Sequence, residues 1–110
     1  MEPLNCTVLI VEDNPVNQRV LRMILKKFGC AVSVVENGLL AVETLGAKNF
    51  DLVLMDCQMP VMDGYQATRR IREGDTESAE VPIIAVTANA LQGDRAKCLA
   101  AGMDDYVAKP

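Results

Sequence analysis

The chain has 110 residues, half of them apolar by a broad count and 24% charged, which bounds it to one domain with a single core and argues against disorder. Eleven basic residues against fifteen acidic ones leave a net charge of −4 without a long block of like charge, so nucleic acid is not expected as a direct partner. With no histidine, and with Cys6, Cys30, Cys57 and Cys98 lying far apart in sequence, a zinc site or a Cys-His nucleophile pair is not expected either.

The segment from Met1 to Asn5 has no positive stretch leading into an apolar one, and no apolar run approaches the length of a membrane span. These features point to a cytoplasmic chain with reduced thiols and no membrane association.

The first apolar run, Leu4 to Val11, reads as a strand and ends on the acidic pair Glu12-Asp13. A helix follows: Asn14 and Pro15 form a cap and first-turn pair, Val16, Val20, Met23, Ile24 and Phe28 recur at helical spacing, and Gly29 marks the stop. Ala31 to Val35 is the second strand. The second helix, from about Gly38 to Lys48, turns Ala41, Val42 and Leu45 inward.

The third strand, Asp51 to Asp56, ends on a single carboxylate. A helix from about Gly64 to Glu73 then turns Ala67, Thr68 and Ile71 inward. The polar stretch from Gly74 to Glu80 reads as a flexible loop before a fourth strand, Val81 to Thr87. The fourth helix, about Leu91 to Ala101, carries Leu91, Arg95, Cys98 and Leu99 along one side, with Gly102 as its C-terminal cap, and Asp105 to Ala108 is the fifth strand.

Strand and helix alternate throughout, and runs such as Val8-Leu-Ile-Val11 and Leu52-Val-Leu-Met55 suit strands buried on both faces. The expected architecture is therefore an α/β/α three-layer sandwich on a doubly wound parallel sheet, with a crevice at the carboxyl ends of the strands. At that edge Glu12, Asp13, Asp56, Thr87 and Lys109 converge.

Three carboxylates close together repel unless a cation sits among them, and an oxygen-only ligand set suits Mg²⁺ or Mn²⁺. With an ion held by Glu12 and Asp13, Asp56 can act as a nucleophile toward a phosphoryl group. Lys109 would pair with the phosphoryl oxygens and Thr87 would donate a hydrogen bond to them.

The segments Val8-Leu-Ile-Val-Glu-Asp-Asn14, Asp51-Leu-Val-Leu-Met-Asp56, Met59-Pro-Val-Met-Asp-Gly64, Pro82-Ile-Ile-Ala-Val-Thr-Ala88 and Ala101-Gly-Met-Asp-Asp-Tyr-Val-Ala-Lys-Pro110 resemble the receiver domains of two-component response regulators. The resemblance covers nearly the whole chain, making residues 1–110 a single receiver domain. It implies a flavodoxin-like (CheY-like) five-stranded parallel sheet in the order 2-1-3-4-5.

It also implies phosphorylation of Asp56 by a phosphohistidine donor, with the carboxylates of Glu12, Asp13 and Asp56 and the backbone carbonyl of Gln58 as metal ligands. Thr87 and Tyr106 become the conformational switch, Lys109 the phosphate-pairing lysine, Ala88 a small residue that keeps access to Asp56 open, and Lys109-Pro110 a cis peptide. Asn14-Pro-Val-Asn-Gln18 and Thr87-Ala-Asn-Ala-Leu91 look most like receivers attached to hybrid sensor histidine kinases.

The implied partners are a kinase phosphohistidine or a histidine phosphotransfer domain, together with an output domain or protein. The module would catalyse only its own phosphorylation and dephosphorylation and would not be an enzyme of metabolism. The family's usual fifth helix, which would follow Pro110, is expected to be missing from this chain, and the surface it covers would here be open to self-association.

Two alternatives come from other classes. An aspartyl-phosphate phosphatase usually carries a second Asp two residues after the nucleophile, where this chain has Gln58. A flavodoxin-like nucleotide or flavin binder would need a glycine-rich phosphate loop after the first strand, where this chain has an acidic pair.

Overall fold

A computed structural model describes residues 6–74, 76–87 and 92–108. Strands β1 (Thr7–Val11), β2 (Ala31–Val35), β3 (Leu52–Asp56), β4 (Ile83–Thr87) and β5 (Asp105–Ala108) alternate with helices α1 (Pro15–Lys27), α2 (Gly38–Ala47), α3 (Gly64–Glu73) and α4 (Gln92–Ala101). All four strand pairings are parallel, and the order is β2-β1-β3-β4-β5. The expected doubly wound topology is the observed one.

Local chemistry accounts for the helix limits. Asn14 accepts from the Val16 and Asn17 amides ahead of Pro15, Asn37 accepts from the Leu40 amide, and Asp63 and Gln66 form a reciprocal capping box. α1 stops where Gly29 takes φ 78°, a left-handed conformation that costs a glycine nothing, and Gly102 at φ 106° ends α4 in the same way.

One face of the sheet carries the main core. Leu9, Val11, Val53, Met55, Ile83 and Ala85 pack there against Ala41 and Leu45 of α2, Ala67 and Ile71 of α3, and Cys98 and Ala101 of α4. α1 lies against β1 and β2 on the opposite face. Val8 and Ile10 are fully buried on that side, yet no residue of α1 itself is, and Val16, Met23, Ile24 and Phe28 are exposed.

Four sequence expectations shift. The stretch expected to be a flexible loop contains a 3-10 turn at Glu77–Glu80, because Arg72 reaches from α3 to donate to the carbonyls of Ala79 and Val81 at 3.0 and 2.6 Å. β4 begins at Ile83 because Pro82 has no amide to give the ladder. Asp51 stands outside β3 and accepts from the Thr7 amide at 2.8 Å. Among the residues of α4 whose burial is described, Cys98 and Ala101 are buried, whereas Arg95 and Leu99 are exposed, and Leu91 lies outside the described residues.

Candidate functional site

Each strand of the β1-β3-β4 centre delivers a polar residue to the carboxyl edge. Glu12 directly follows β1, fixed by its own amide donating to Val35 at 3.0 Å and by the Gln18 side chain donating to its carbonyl at 2.6 Å. Its side chain is almost wholly buried, 1% exposed, while the adjacent Asp13 is exposed. Asp56 closes β3 at 3% exposure, and Thr87 closes β4, also buried.

Carboxylate oxygens of Glu12, Asp13 and Asp56 lie within 4.8 Å of one another. At such separations the like charges oppose full ionisation unless a cation intervenes. The donors are hard oxygens, two of them buried and one open to water, which fits a divalent ion that keeps part of its water shell, such as Mg²⁺ or Mn²⁺.

The loop after Asp56 is held close to it. The Gln58 amide donates to Asp56 Oδ1 at 3.3 Å, and the Gly64 amide donates to the Cys57 carbonyl at 3.0 Å. A methyl at Gly64 would stand 2.1 Å from the Asp56 carbonyl oxygen, so only glycine lets α3 begin this close to the aspartate. Within the same loop Val61 adopts φ 70°, strained for a β-branched side chain.

The sequence reading gave no role to Gly64 or Gln18. The Asp63-Gly64 pair that opens α3 was a visible signal for the first, whereas the Gln18 contact depends on how α1 sits over β1.

Behind Asp56, Cys57 and Cys98 bring their sulfurs to 3.9 Å. Burial pushes the Cys57 thiol up to about 12, although its hydrogen bond to Tyr65 pulls the other way, and burial likewise raises the Tyr65 phenol. The acidic edge is thus backed by a thiol that stays protonated at neutral pH.

Tyr106 is half-buried, pairs in register with Ala85 and packs against the main core, while Thr87 pairs with Ala108. The expectations for Lys109, for Ala88 and for the Lys109-Pro110 peptide lie outside the described residues.

A sequence profile described as the response regulator receiver domain matches residues 8–110. The chain belongs to this receiver family. The receiver is 46% identical over 105 residues to the sensor protein GacS of Pseudomonas syringae pv. syringae, a match covering 94% of this chain and 12% of that protein. It is 42% identical over 113 residues to hybrid signal transduction histidine kinase B of Dictyostelium discoideum, covering 94% of this chain and 6% of that one. The chain therefore spans a small fraction of the curated relatives it matches.

Among solved structures it resembles the receiver domain of sensor histidine kinase PA1611 from Pseudomonas aeruginosa PAO1, which has magnesium coordinated in its active-site cleft. The TM-score is 0.88 and the identity 53%, over 96% of this chain and 86% of that one. It also resembles the structure of the Saccharomyces cerevisiae phosphotransfer protein Ypd1 in complex with the receiver domain of the response regulator Ssk1. That match has a TM-score of 0.90 and 34% identity, over 100% of this chain and 81% of the matched chain.

Proposed function

We propose that this receiver takes a phosphoryl group from a phosphohistidine onto Asp56 and signals through the resulting change in its surface. The supporting observation is a buried carboxylate at the end of the central strand with two further carboxylates, Glu12 and Asp13, within 4.8 Å. The carboxylates of Glu12, Asp13 and Asp56 and the backbone carbonyl of Gln58 would hold Mg²⁺ or Mn²⁺. When bound, the ion supplies positive charge against the phosphoryl oxygens.

A carboxylate oxygen of Asp56 forms the new bond to phosphorus as the donor's N–P bond breaks, and the released imidazole takes up a proton from solvent. Lys109 pairs with the phosphoryl oxygens and Thr87 donates to one of them. Ordering Thr87 toward the new anion makes room that Tyr106, packed at the core edge, can enter. Phosphorylation shifts the switch only through such differential contacts.

The presence of related sequences in hybrid histidine kinases and the Ypd1 complex of a related receiver support a kinase or phosphotransfer domain as donor. On this reading the domain turns over no metabolite, changing only its own phosphorylation state. No described helix is long and apolar enough to cross a membrane, which is compatible with a cytoplasmic module.

Incubation with a small-molecule phosphodonor and Mg²⁺ is expected to add one phosphoryl group to the wild type and none to Asp56→Asn, as read by intact mass. Omitting the metal with a chelator present should also abolish it. Equal phosphorylation of Asp56→Asn would overturn the assignment, and sustained release of phosphate from an organic monoester would point to a phosphatase instead.

A further inference from the structure

At the amino edge of the sheet, opposite the acidic site, two thiols meet. Cys6 and Cys30 immediately precede Thr7 and Ala31, which are paired in register on β1 and β2, and the Ala31 amide donates to the Cys6 carbonyl at 2.9 Å. Neighbouring strands run ~4.8 Å apart, within the Cα separation a disulfide spans. The two sulfurs stand 3.0 Å apart, both cysteines are free, and both are partly exposed. Closing them to a covalent bond takes about 1 Å of movement.

Beside them is a cavity of about 250 Å³ lined by Arg22, Lys26, Cys30 and Val32. Two cations from successive turns of α1 thus share a hollow with one thiol of the pair, and among the described residues no acidic one lines it.

We propose that Cys6 and Cys30 are a reversible oxidation site whose oxidant is an anionic low-molecular-weight disulfide, its carboxylates held by Arg22 and Lys26. In the first step one cysteine thiolate attacks the small disulfide, forming a mixed disulfide and releasing one small thiol. In the second the neighbouring thiolate attacks the protein sulfur of that adduct, releasing the other small thiol. Two protein thiols and one small disulfide become one protein disulfide and two small thiols, so electrons and protons balance.

The hydrogen bond to Cys6 holds the Cys30 thiol above its usual pKa, and either sulfur of the pair can be the donor. The bridge would tie the start of β1 to the turn leaving α1, closing a loop across the sequence separation of 24. It is independent of Asp56, which lies at the other end of the strands.

Glutathione disulfide is the probe. Treatment of the intact chain is expected to give loss of two hydrogens, mapped by peptide mass to a Cys6–Cys30 bridge, a melting temperature higher by on the order of 10 °C, and full reversal by dithiothreitol. Replacing either cysteine by serine should stop the reaction at a single mixed disulfide on the remaining one. Arg22→Ala combined with Lys26→Ala should slow oxidation by glutathione disulfide roughly tenfold at low ionic strength while leaving oxidation by uncharged bis(2-hydroxyethyl) disulfide unchanged.

Persistence of four free thiols, or a bridge mapped to Cys57 and Cys98, would overturn the site. Equal rates in the charge variant and the wild type with glutathione disulfide would overturn the anionic oxidant.

Discussion

On the face packed by α2, α3 and α4, the side chains of Leu9, Val53, Met55 and Ile83 are fully buried. On the face packed by α1, burial is uneven: Ile10 is 0% and Val86 2% exposed, but Leu54 and Ile84 are only half-buried and Val107 is 49% exposed. Strand composition does not explain the contrast, since both faces carry Val, Ile and Leu in register. Coverage does: among the described residues, three helices span one face, while α1 lies mainly against β1 and β2 on the other.

The packed face is also the one that positions the acidic site, because Gly64 at the start of α3 presses against the Asp56 backbone and Met55. Depth of packing and precision of the site therefore have a common source, and the α1 side is where a further covering element would act.

The largest effect is expected from truncating that packed face. Met55→Ala removes a fully buried side chain next to Asp56 and should destabilise the fold by about 2–5 kcal/mol, measured by urea denaturation. A cost below ~1 kcal/mol would show that this face is as loosely packed as the other and would end the comparison.

A smaller effect concerns pH, and it treats thiols as gauges of depth. Burial holds the Cys57 pKa at about 12 against an ordinary 9.0, so folding favours the neutral thiol. The associated stability is fully present below about pH 9 and is lost as pH rises through the window from 9.0 to about 12. Cys57→Ser should flatten the fall of stability over this window. In native protein at about pH 8, iodoacetamide should modify the partly exposed Cys6 or Cys30 well before Cys57. Faster labelling of Cys57 would mean that the packed face opens readily.

Much of this contrast was legible in the sequence. The runs Val8-Leu-Ile-Val11 and Leu52-Val-Leu-Met55 announce strands with apolar groups on both sides, and Asn14-Pro15, Gly29 and Gly102 mark helix limits by local chemistry alone. The convergence of Glu12, Asp13 and Asp56 followed from placing each at a strand's carboxyl end. What stayed hidden depends on register and tertiary reach.

Cys6 and Cys30 looked unrelated until β1 and β2 were aligned, and the turn at Glu77–Glu80 exists because Arg72 arrives from another element. The apolar period of α1 was visible, but the exposure of Val16, Met23, Ile24 and Phe28 depends on what lies across the sheet, which a helical pattern does not encode.

The smallest effect tests the α1 side with the same chemical change. Met23 is 55% exposed, so Met23→Ala forfeits little burial, and alanine's higher helix propensity offsets part of that loss. The expected change is within about 0.5 kcal/mol by urea denaturation of dilute protein. A cost approaching that of Met55→Ala would mean that Met23 is covered in solution. If that cost, and the wild type's stability, rose with protein concentration, a second copy of the chain would be the cover, with α1 and the partly exposed Leu54, Ile84 and Val107 of the same face as its seat. If the cost stayed small, joining an amphipathic helix after Pro110 should raise the melting temperature by burying the same side chains, and no rise would show that this face does not need one.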